Sequence, residues 1–240
     1  KAQVDILTLT ATPIPRTLEM SLTGIRDLSL IETPPADRQP KLTFGGEYNE
    51  SAVAEPNPPE LLREGQVFFV HNRVHDIEET AAGLKQLVPD ARIAIAHGQM
   101  DESSLERVII DFWERKYDVL VCTTIVESGI DMPTVNTLVV DRADLLGLGQ
   151  LHQLRGRVGR SGHRAYAYLF TPIDKSLSEE AFERLRTIGE TTELGSGFRL
   201  AMKDLEIRGA GNLLGTGQSG HVASVGYDLY CQMVNEAVLE

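Results

Sequence analysis

The sequence predicts an α/β fold in which a parallel sheet is covered by helices on both faces. Short apolar runs alternate with segments of helical spacing between Gly65 and Phe170. The runs are apolar at successive positions, as expected of strands that are buried on both faces. Polar and glycine-containing stretches follow the runs, at the sheet edge where α/β proteins carry their ligand sites.

The predicted strands are short apolar runs bounded by glycine, proline or charged residues. They are Lys41–Tyr48, Val67–Val70, Arg92–His97, Asp118–Thr123, Thr137–Asp141 and Ala165–Phe170. Two helices are predicted between them, over Asp76–Val88 and Ser103–Trp113, because apolar residues recur there every three or four positions. Ser103 and Glu106 have the spacing of a capping box at the start of the second helix.

The chain divides into three predicted parts. Residues 1–36 hold a buried strand and a proline-rich linker, 37–172 form the sheet domain, and 173–240 form an appended helical hairpin with a loop. Helices are expected at Glu179–Ile188, at Phe198–Leu205 and near Tyr227–Val238. The segment from Ala54 to Pro59 is a predicted loop, because proline is excluded from helix interiors.

Composition excludes several classes of protein. The chain has 240 residues, 42% of them hydrophobic, and a formal net charge of -12, which argues against an overall basic nucleic-acid coat. Its apolar runs are too short to span a bilayer, no signal peptide opens it, and two cysteines make no disulfide framework. We expect a cytoplasmic protein without metal ligands of its own. The abrupt start in a strand indicates a piece of a longer protein.

Four polar motifs follow predicted strands. Thr12 lies in a threonine- and proline-rich turn that suits a phosphate or an acidic neighbour, or is only a polar turn. Asn72 and Arg73 suit contacts with a nucleic-acid backbone, or belong to a helix cap before Asp76. Gly98 permits close approach of the backbone to a phosphate.

The fourth motif, Thr123–Asp131, ends the fourth strand of the sheet domain. It places Thr123 and Thr124, and then Glu127, Gly129 and Asp131, in one loop. The hydroxyls suit DNA phosphates, and the Asp131 carboxylate suits a ribose hydroxyl or an arginine. The alternative is an ordinary strand cap and turn.

The segment Gln150–Ser161 carries the strongest functional signal. It holds Arg155, Arg157 and Arg160 among glycines, and arginine offers a fixed fork of donors that fits phosphate oxygens. Arg157 and Arg160 are three residues apart and share one face if the segment is helical. The sequence has no phosphate-binding Gly-x-x-x-x-Gly-Lys-Ser/Thr loop and no convincing acidic magnesium box. The chain thus predicts half of an ATP site.

These motifs resemble, in order, the later motifs of superfamily 2 helicases and translocases. Thr10–Thr12 resembles motif III, Val70–Arg73 motif IV, Thr123–Asp131 motif V, and Gln153–Arg160 motif VI. In that family two RecA-like lobes hold ATP between them, and the second lobe supplies the arginine finger. The resemblance implies that residues 37–172 are a second RecA-like lobe, or helicase C-terminal domain.

The C-terminal part narrows the resemblance. Lys203–Gly215 with Gln218–Gly220 is similar to the TRG motif, which RecG-type helicases share with the transcription-repair coupling translocases. Details such as Gly24–Ser29 and Arg142–Leu148 are closer to the second family. This implies that residues 1–36 end a first RecA-like lobe, and that 173–240 form a TRG helical hairpin.

The resemblance implies roles and partners. Arg157 and Arg160 would contact the ATP γ-phosphate, Gln153 would link their helix to the first lobe, and Gly129 and Asp131 would border the nucleotide, which comes with Mg²⁺. The residues implied at the DNA backbone are Thr12, Asn72, Arg73, Gly98, Thr123 and Thr124. Arg208 and Gln218 would couple lobe closure to DNA grip.

The implied partners are double-stranded DNA and, through other domains, RNA polymerase and the excision-repair protein UvrA, with no membrane. The implied function is movement on duplex DNA that displaces stalled polymerase and couples transcription to excision repair, with no turnover by the chain alone. The alternatives are a RecG-type fork-remodelling module and a non-enzymatic DNA- or protein-binding domain.

Overall fold

A computed structural model describes most of the sheet domain and the helices that follow it. The described residues are 7, 9–10, 28–31, 41–49, 65–124, 134–159, 165–173, 175–192 and 195–208, and for Leu205 and Arg208 the backbone alone. The predicted buried strand in residues 1–12 was wrong at its described residues 7 and 9–10, which form no strand, with Leu7 and Leu9 85% and 78% exposed. The predictions outside the described residues are the proline-rich loop at 54–59, the last helix, and the sites Thr12, Gly129, Asp131, Arg160 and Gln218.

Six parallel strands form one sheet in the order β1-β6-β5-β2-β4-β3. The strands are β1 (Leu42–Glu47), β2 (Gln66–Val70), β3 (Ile93–Ala96), β4 (Val119–Cys122), β5 (Val135–Val140) and β6 (Tyr166–Thr171). Every bound lies within two residues of its prediction, and the parallel sheet is confirmed. Strands β2, β4 and β5 are buried at every position, because helices pack on both sides of them.

Five α-helices and one short 3-10 helix accompany the described strands. They are α1 (Ile77–Leu87), α2 (Glu102–Trp113), α3 (Leu148–Arg157), α4 (Glu179–Glu190), α5 (Gly197–Arg208) and the 3-10 helix Ala143–Leu145. The helix predicted over Phe198–Leu205 is longer than expected, since α5 continues to Arg208.

Successive residues of β2 show that helices cover both faces of the sheet. Val67 and Phe69 share a buried cluster with Ile77 and Leu84 of α1. Phe68 points to the opposite face, where its ring stacks on Phe112 of α2 at a centroid distance of 5.6 Å. The arrangement follows from right-handed crossovers that run in opposite directions along the sheet.

Helix α2 begins differently from the prediction. Its N-cap is Asp101, whose Oδ1 accepts a hydrogen bond from the Ser104 backbone N–H at 2.9 Å. The Ser103–Glu106 capping box was wrong, because Asp101 caps the helix and Ser103 Oγ donates to its carboxylate at 2.6 Å. These hydrogen bonds lower the pKa of Asp101 to about 2.

The chain separates into two compact units. Residues 34–194 form one, with the sheet and α1–α4, and residues 1–33 with 195–240 form the other, which includes α5. Within the larger unit α4 packs on β1 and α3. The predicted boundaries at 36/37 and 172/173 remain predictions. No helix among the described residues is long and apolar enough to cross a membrane.

Candidate functional site

Several predicted site residues lie together at the carboxyl edge of the sheet. Parallel pairing of β2 with β4, and of β4 with β3, brings the ends of the three strands side by side. The His71 N–H donates to the Cys122 carbonyl at 2.8 Å, and the Thr123 N–H donates to the Ala96 carbonyl at 3.2 Å. The site residues brought to this edge are Asn72, Arg73, Gly98, Thr123 and Thr124.

Their accessibility differs. Asn72, Arg73 and Gly98 are exposed, and Thr124 is half-buried. Thr123 is only 6% exposed, and its hydroxyl has no hydrogen-bond partner among the described residues. The exposed residues and Thr124 therefore offer donors to a passing backbone phosphate, whereas Thr123 lies beneath them.

Sequence reasoning missed a buried histidine at this edge. The His71 imidazole faces Asp141, which follows β5, through Nδ1, and Asp76 through Nε2 at 2.7 Å. The hydrogen bond to Asp141 raises the pKa of His71 against the opposing effect of burial, and Asp76 raises it further. The hydrogen bond between His71 and Asp76 lowers the pKa of Asp76. A histidine ending a buried strand, with an aspartate five residues later, was the available signal.

Asp76 occupies the N-cap position of α1 without capping it through its side chain. Its carboxylate is held instead by His71, while Arg73 Nη1 lies 3.8 Å from Asp76 Oδ2. Asn72 and Arg73 were alternatively interpreted as part of a helix cap. The structure does not support this alternative, because no side-chain hydrogen bond caps the start of α1. The turn from β2 to α1 is organised by the histidine.

The arginine segment ends at the other edge of the sheet. Helix α3 follows β5 and runs back until the Gly159 N–H donates to the carbonyl of Val135, the first residue of β5, at 2.9 Å. The expectation that all polar motifs lie at the carboxyl ends was wrong for this segment. Helix α3 ends at Arg157, and Gly159 has a φ of 68° that favours glycine.

Helix α3 sorts its polar residues by face. Leu148, Leu151 and Leu154 are buried, whereas Gln153 is exposed and Arg157 is half-buried. Gln153 and Arg157 are four residues apart, so they lie on one helix face. The structure therefore brings these two predicted site residues together at the helix surface.

Arg155 has a different role from Arg157. It is 5% exposed, and its Nη1 donates to the Ile188 carbonyl near the end of α4 at 2.7 Å. Burial lowers the pKa of this guanidinium to about 10. Arg155 anchors α3 against α4 and cannot face a nucleotide.

Helix α3 carries two polar groups that suit the phosphates of a nucleotide. Gln153 and Arg157 present an amide and a guanidinium, which suit phosphate oxygens. Within the described ranges no three His, Cys, Asp or Glu side chains converge as a metal-ligand set. If a nucleotide binds here, Arg157 would hold phosphate charge.

Comparison with known proteins connects this geometry to a family. Residues 56–162 match the helicase conserved C-terminal domain. The chain is 57% identical over 238 residues to the transcription-repair-coupling factor of Mycobacterium tuberculosis, covering 99% of this chain and 19% of that protein. It is 60% identical over 240 residues to that of Bacillus subtilis, covering 100% of this chain and 20% of that protein. The chain spans about a fifth of these relatives.

Solved structures share the fold. The structure of RecG bound to a three-way DNA junction matches with a TM-score of 0.72 and 33% identity, over 98% of this chain and 32% of that chain. Saccharomyces cerevisiae Dbp5 bound to RNA and ADP BeF3 matches with a TM-score of 0.57 at 19% identity, over 77% of this chain and 49% of that chain, which shows the fold alone. The sheet domain is a RecA-like helicase C-terminal fold, and the chain belongs to the transcription-repair-coupling factor family, of whose members it spans the C-terminal RecA-like lobe.

Proposed function

We propose that this chain is the second half of an ATP-driven, double-stranded DNA translocase that displaces stalled RNA polymerase and couples transcription to excision repair. The observation that carries the proposal is the match to transcription-repair-coupling factors at 57% and 60% identity over 99% and 100% of the chain. RNA polymerase and UvrA bind other domains of the full protein, which acts in the cytoplasm.

ATP binds between this lobe and a first lobe outside the chain. Arg157 and Arg160 neutralise charge that develops on the γ-phosphate, and Gln153 links α3 to the first lobe. Gly129 and Asp131 border the nucleotide. Support comes from the shared helix face of Gln153 and Arg157, and from the absence of a phosphate-binding loop in the sequence. Mg²⁺ arrives with phosphates that the first lobe holds.

Duplex DNA runs along the carboxyl edge of the sheet. Asn72, Arg73, Gly98 and Thr124 meet the backbone there, with Thr123 beneath them and Thr12 contributing from its own turn. These are backbone-type contacts, so binding is largely independent of sequence and weakens with salt. Arg208 and Gln218, in the TRG segment, pass lobe closure to the DNA grip.

The central experiment measures DNA-stimulated ATP hydrolysis by the chain alone and by the chain joined to its upstream lobe, called here the two-lobe protein. We expect no turnover alone and turnover when joined. Arg160→Ala in the two-lobe protein should lower turnover by roughly 10³-fold. Normal turnover in that variant would remove the arginine finger from the proposal.

Coupling is tested separately from hydrolysis. Arg208→Ala in the full-length protein should leave ATP hydrolysis but abolish displacement of a stalled RNA polymerase from a DNA template. Retained displacement would refute the coupling role of Arg208, whereas loss of both activities would make it part of the ATP site. The reciprocal effect of DNA on ATP affinity should shrink in the same variant.

A RecG-type fork-remodelling module is the second candidate. The specific observation in its favour is the RecG match over 98% of this chain. Identity to RecG is 33%, well below the values for the coupling factors. The experiment that distinguishes the two candidates joins the chain to its natural neighbouring domains. It then compares a stalled polymerase with a model DNA fork as the substrate. A non-enzymatic binding domain would bind DNA alone and show no turnover even when joined.

A further inference from the structure

His71 lies at the carboxyl end of β2, an inner strand of the sheet. Strand β2 pairs with β4 on one side and with β5 on the other, and His71 follows the end of β2. Its ring nitrogens face two carboxylates from different elements, Asp141 after β5 and Asp76 at the start of α1. The histidine is 6% exposed, so it cannot itself reach DNA.

We propose that His71 is a positioning residue that sets the DNA-contacting turn by bridging Asp141 and Asp76. The proposal rests on the proposed function, since Asn72 and Arg73 are its readout. Asn72 is the next residue along the chain, and Arg73 Nη1 lies 3.8 Å from the Asp76 carboxylate that His71 holds. The bridge therefore fixes both ends of the turn between β2 and α1.

The bridge depends on the charge of the imidazole. A protonated imidazole donates from both nitrogens, whereas a neutral one donates from only one. Loss of the proton therefore releases Asp141 or Asp76. The pKa of His71 is raised, so the full bridge exists below that raised pKa and is lost as the pH rises through it.

Of the charged and titratable groups around the bridge, the Asp141 and Asp76 carboxylates raise the pKa of His71. On the β5 side, Asp141 Oδ1 is buried without a hydrogen-bond partner among the described residues, and Arg142 is engaged by Asp144 at 2.8 Å. On the α1 side, Arg73 and His75 lie 3.8 Å and 3.5 Å from Asp76. On the β4 side, the Cys122 thiol is neutral, because burial raises its pKa to about 12.

The test measures the affinity of the two-lobe protein for a fluorescent DNA duplex by anisotropy, from about pH 6 to about pH 9, a range that brackets histidine titration. His71→Gln should weaken DNA binding roughly tenfold at the acid end, the factor expected for one charge-assisted hydrogen bond. It should also flatten the pH profile. A structural role alone would lower affinity at all pH values and leave the shape of the profile unchanged.

The matched control is His75→Gln, which removes an exposed histidine four residues away and should keep the wild-type profile. Asp76→Asn, at an accessible helix start, should reproduce the flattening if His71→Gln fails to fold. A wild-type affinity that is constant while His71 titrates by NMR would overturn the proposal. Absence of DNA binding by the wild type would instead overturn the proposed function.

Discussion

The buried polar groups at the two edges of the sheet differ in their hydrogen bonding. At the amino edge, the buried Gln66 amide donates to the carbonyls of Phe112 and Tyr117 at 2.6 and 2.7 Å, and its oxygen accepts from the Thr134 hydroxyl. At the carboxyl edge, Thr123 Oγ1 and Asp141 Oδ1 are buried without a partner among the described residues.

The difference distinguishes polar groups that stabilise the fold from polar groups at the proposed DNA-binding edge. A buried polar atom without a partner costs about 1–3 kcal/mol, so the hydrogen bonds of Gln66 make the amino edge the more stabilising of the two. The amino edge is closed by the hydrogen bonds of Gln66, and α3 carries Gln153 and Arg157 on its surface as it runs towards that edge. The predictions below test this contrast, beginning with the largest effect.

Arg157→Ala in the two-lobe protein should lower DNA-stimulated turnover by roughly 10³-fold, because the arginine neutralises transition-state charge. Steady-state ATP hydrolysis measures it, with DNA affinity followed in parallel. Arg186→Ala, an exposed arginine on α4, is the matched control and should leave turnover near wild type. A fall in DNA affinity without a fall in turnover would place Arg157 on the DNA side.

Gln66→Leu should destabilise the chain by about 2–3 kcal/mol, because it leaves the Phe112 and Tyr117 carbonyls without their donor. Urea unfolding followed by circular dichroism measures the free energy. Gln86→Leu, an exposed glutamine on α1, controls for the added apolar surface and should change stability little. Equal effects in both variants would contradict the closed amino edge.

Arg73→Ala should weaken duplex binding by the two-lobe protein several-fold and reduce the slope of log affinity against log salt by about one. The measurement is anisotropy at several salt concentrations. Arg107→Ala on α2 removes the same charge from another surface and should keep the slope. An unchanged slope in Arg73→Ala would remove the carboxyl edge from the DNA path.

Asp118→Asn should have the smallest effect, about 0.5 kcal/mol, since solvent screens its ion pair with Arg92. The Arg92 contacts lower the pKa of Asp118. The ion pair therefore adds stability above the unfolded-state pKa, and this stability is lost as the pH falls through the lower folded-state value. Urea midpoints of wild type and variant should converge at acid pH, and a gap that widens there would reverse the assignment.

The strands could be predicted because a strand buried on both faces is apolar at successive positions. Every strand bound lies within two residues of the predicted one. The cap of α2 was not, because Asp101 and Ser103 compete for one helix end and the sequence does not show which wins. The shared face of Gln153 and Arg157 follows from their spacing once the segment is helical.

The position of the arginine segment was misjudged for a different reason. Helical spacing gives the faces of α3 but not the sheet edge at which the helix ends, and that edge is fixed by the Gly159–Val135 hydrogen bond. His71 and Arg155 were missed as organising residues because their partners, Asp141 and Ile188, are distant in sequence. These distant contacts leave no local pattern, and the spacing of His71 and Asp76 was the one local signal for the histidine.

The burial of Cys122 makes the two edges experimentally separable. Burial raises the pKa of the Cys122 thiol to about 12, which leaves almost no thiolate at neutral pH. Maleimide dyes will therefore not label Cys122. With Cys231 replaced, single cysteines introduced at Gln99, which follows β3, and at Asp90, which precedes β3, could each carry a fluorophore without disturbing β4. Such a labelled pair would follow distances at both edges during one cycle, and the native thiol could stay in place.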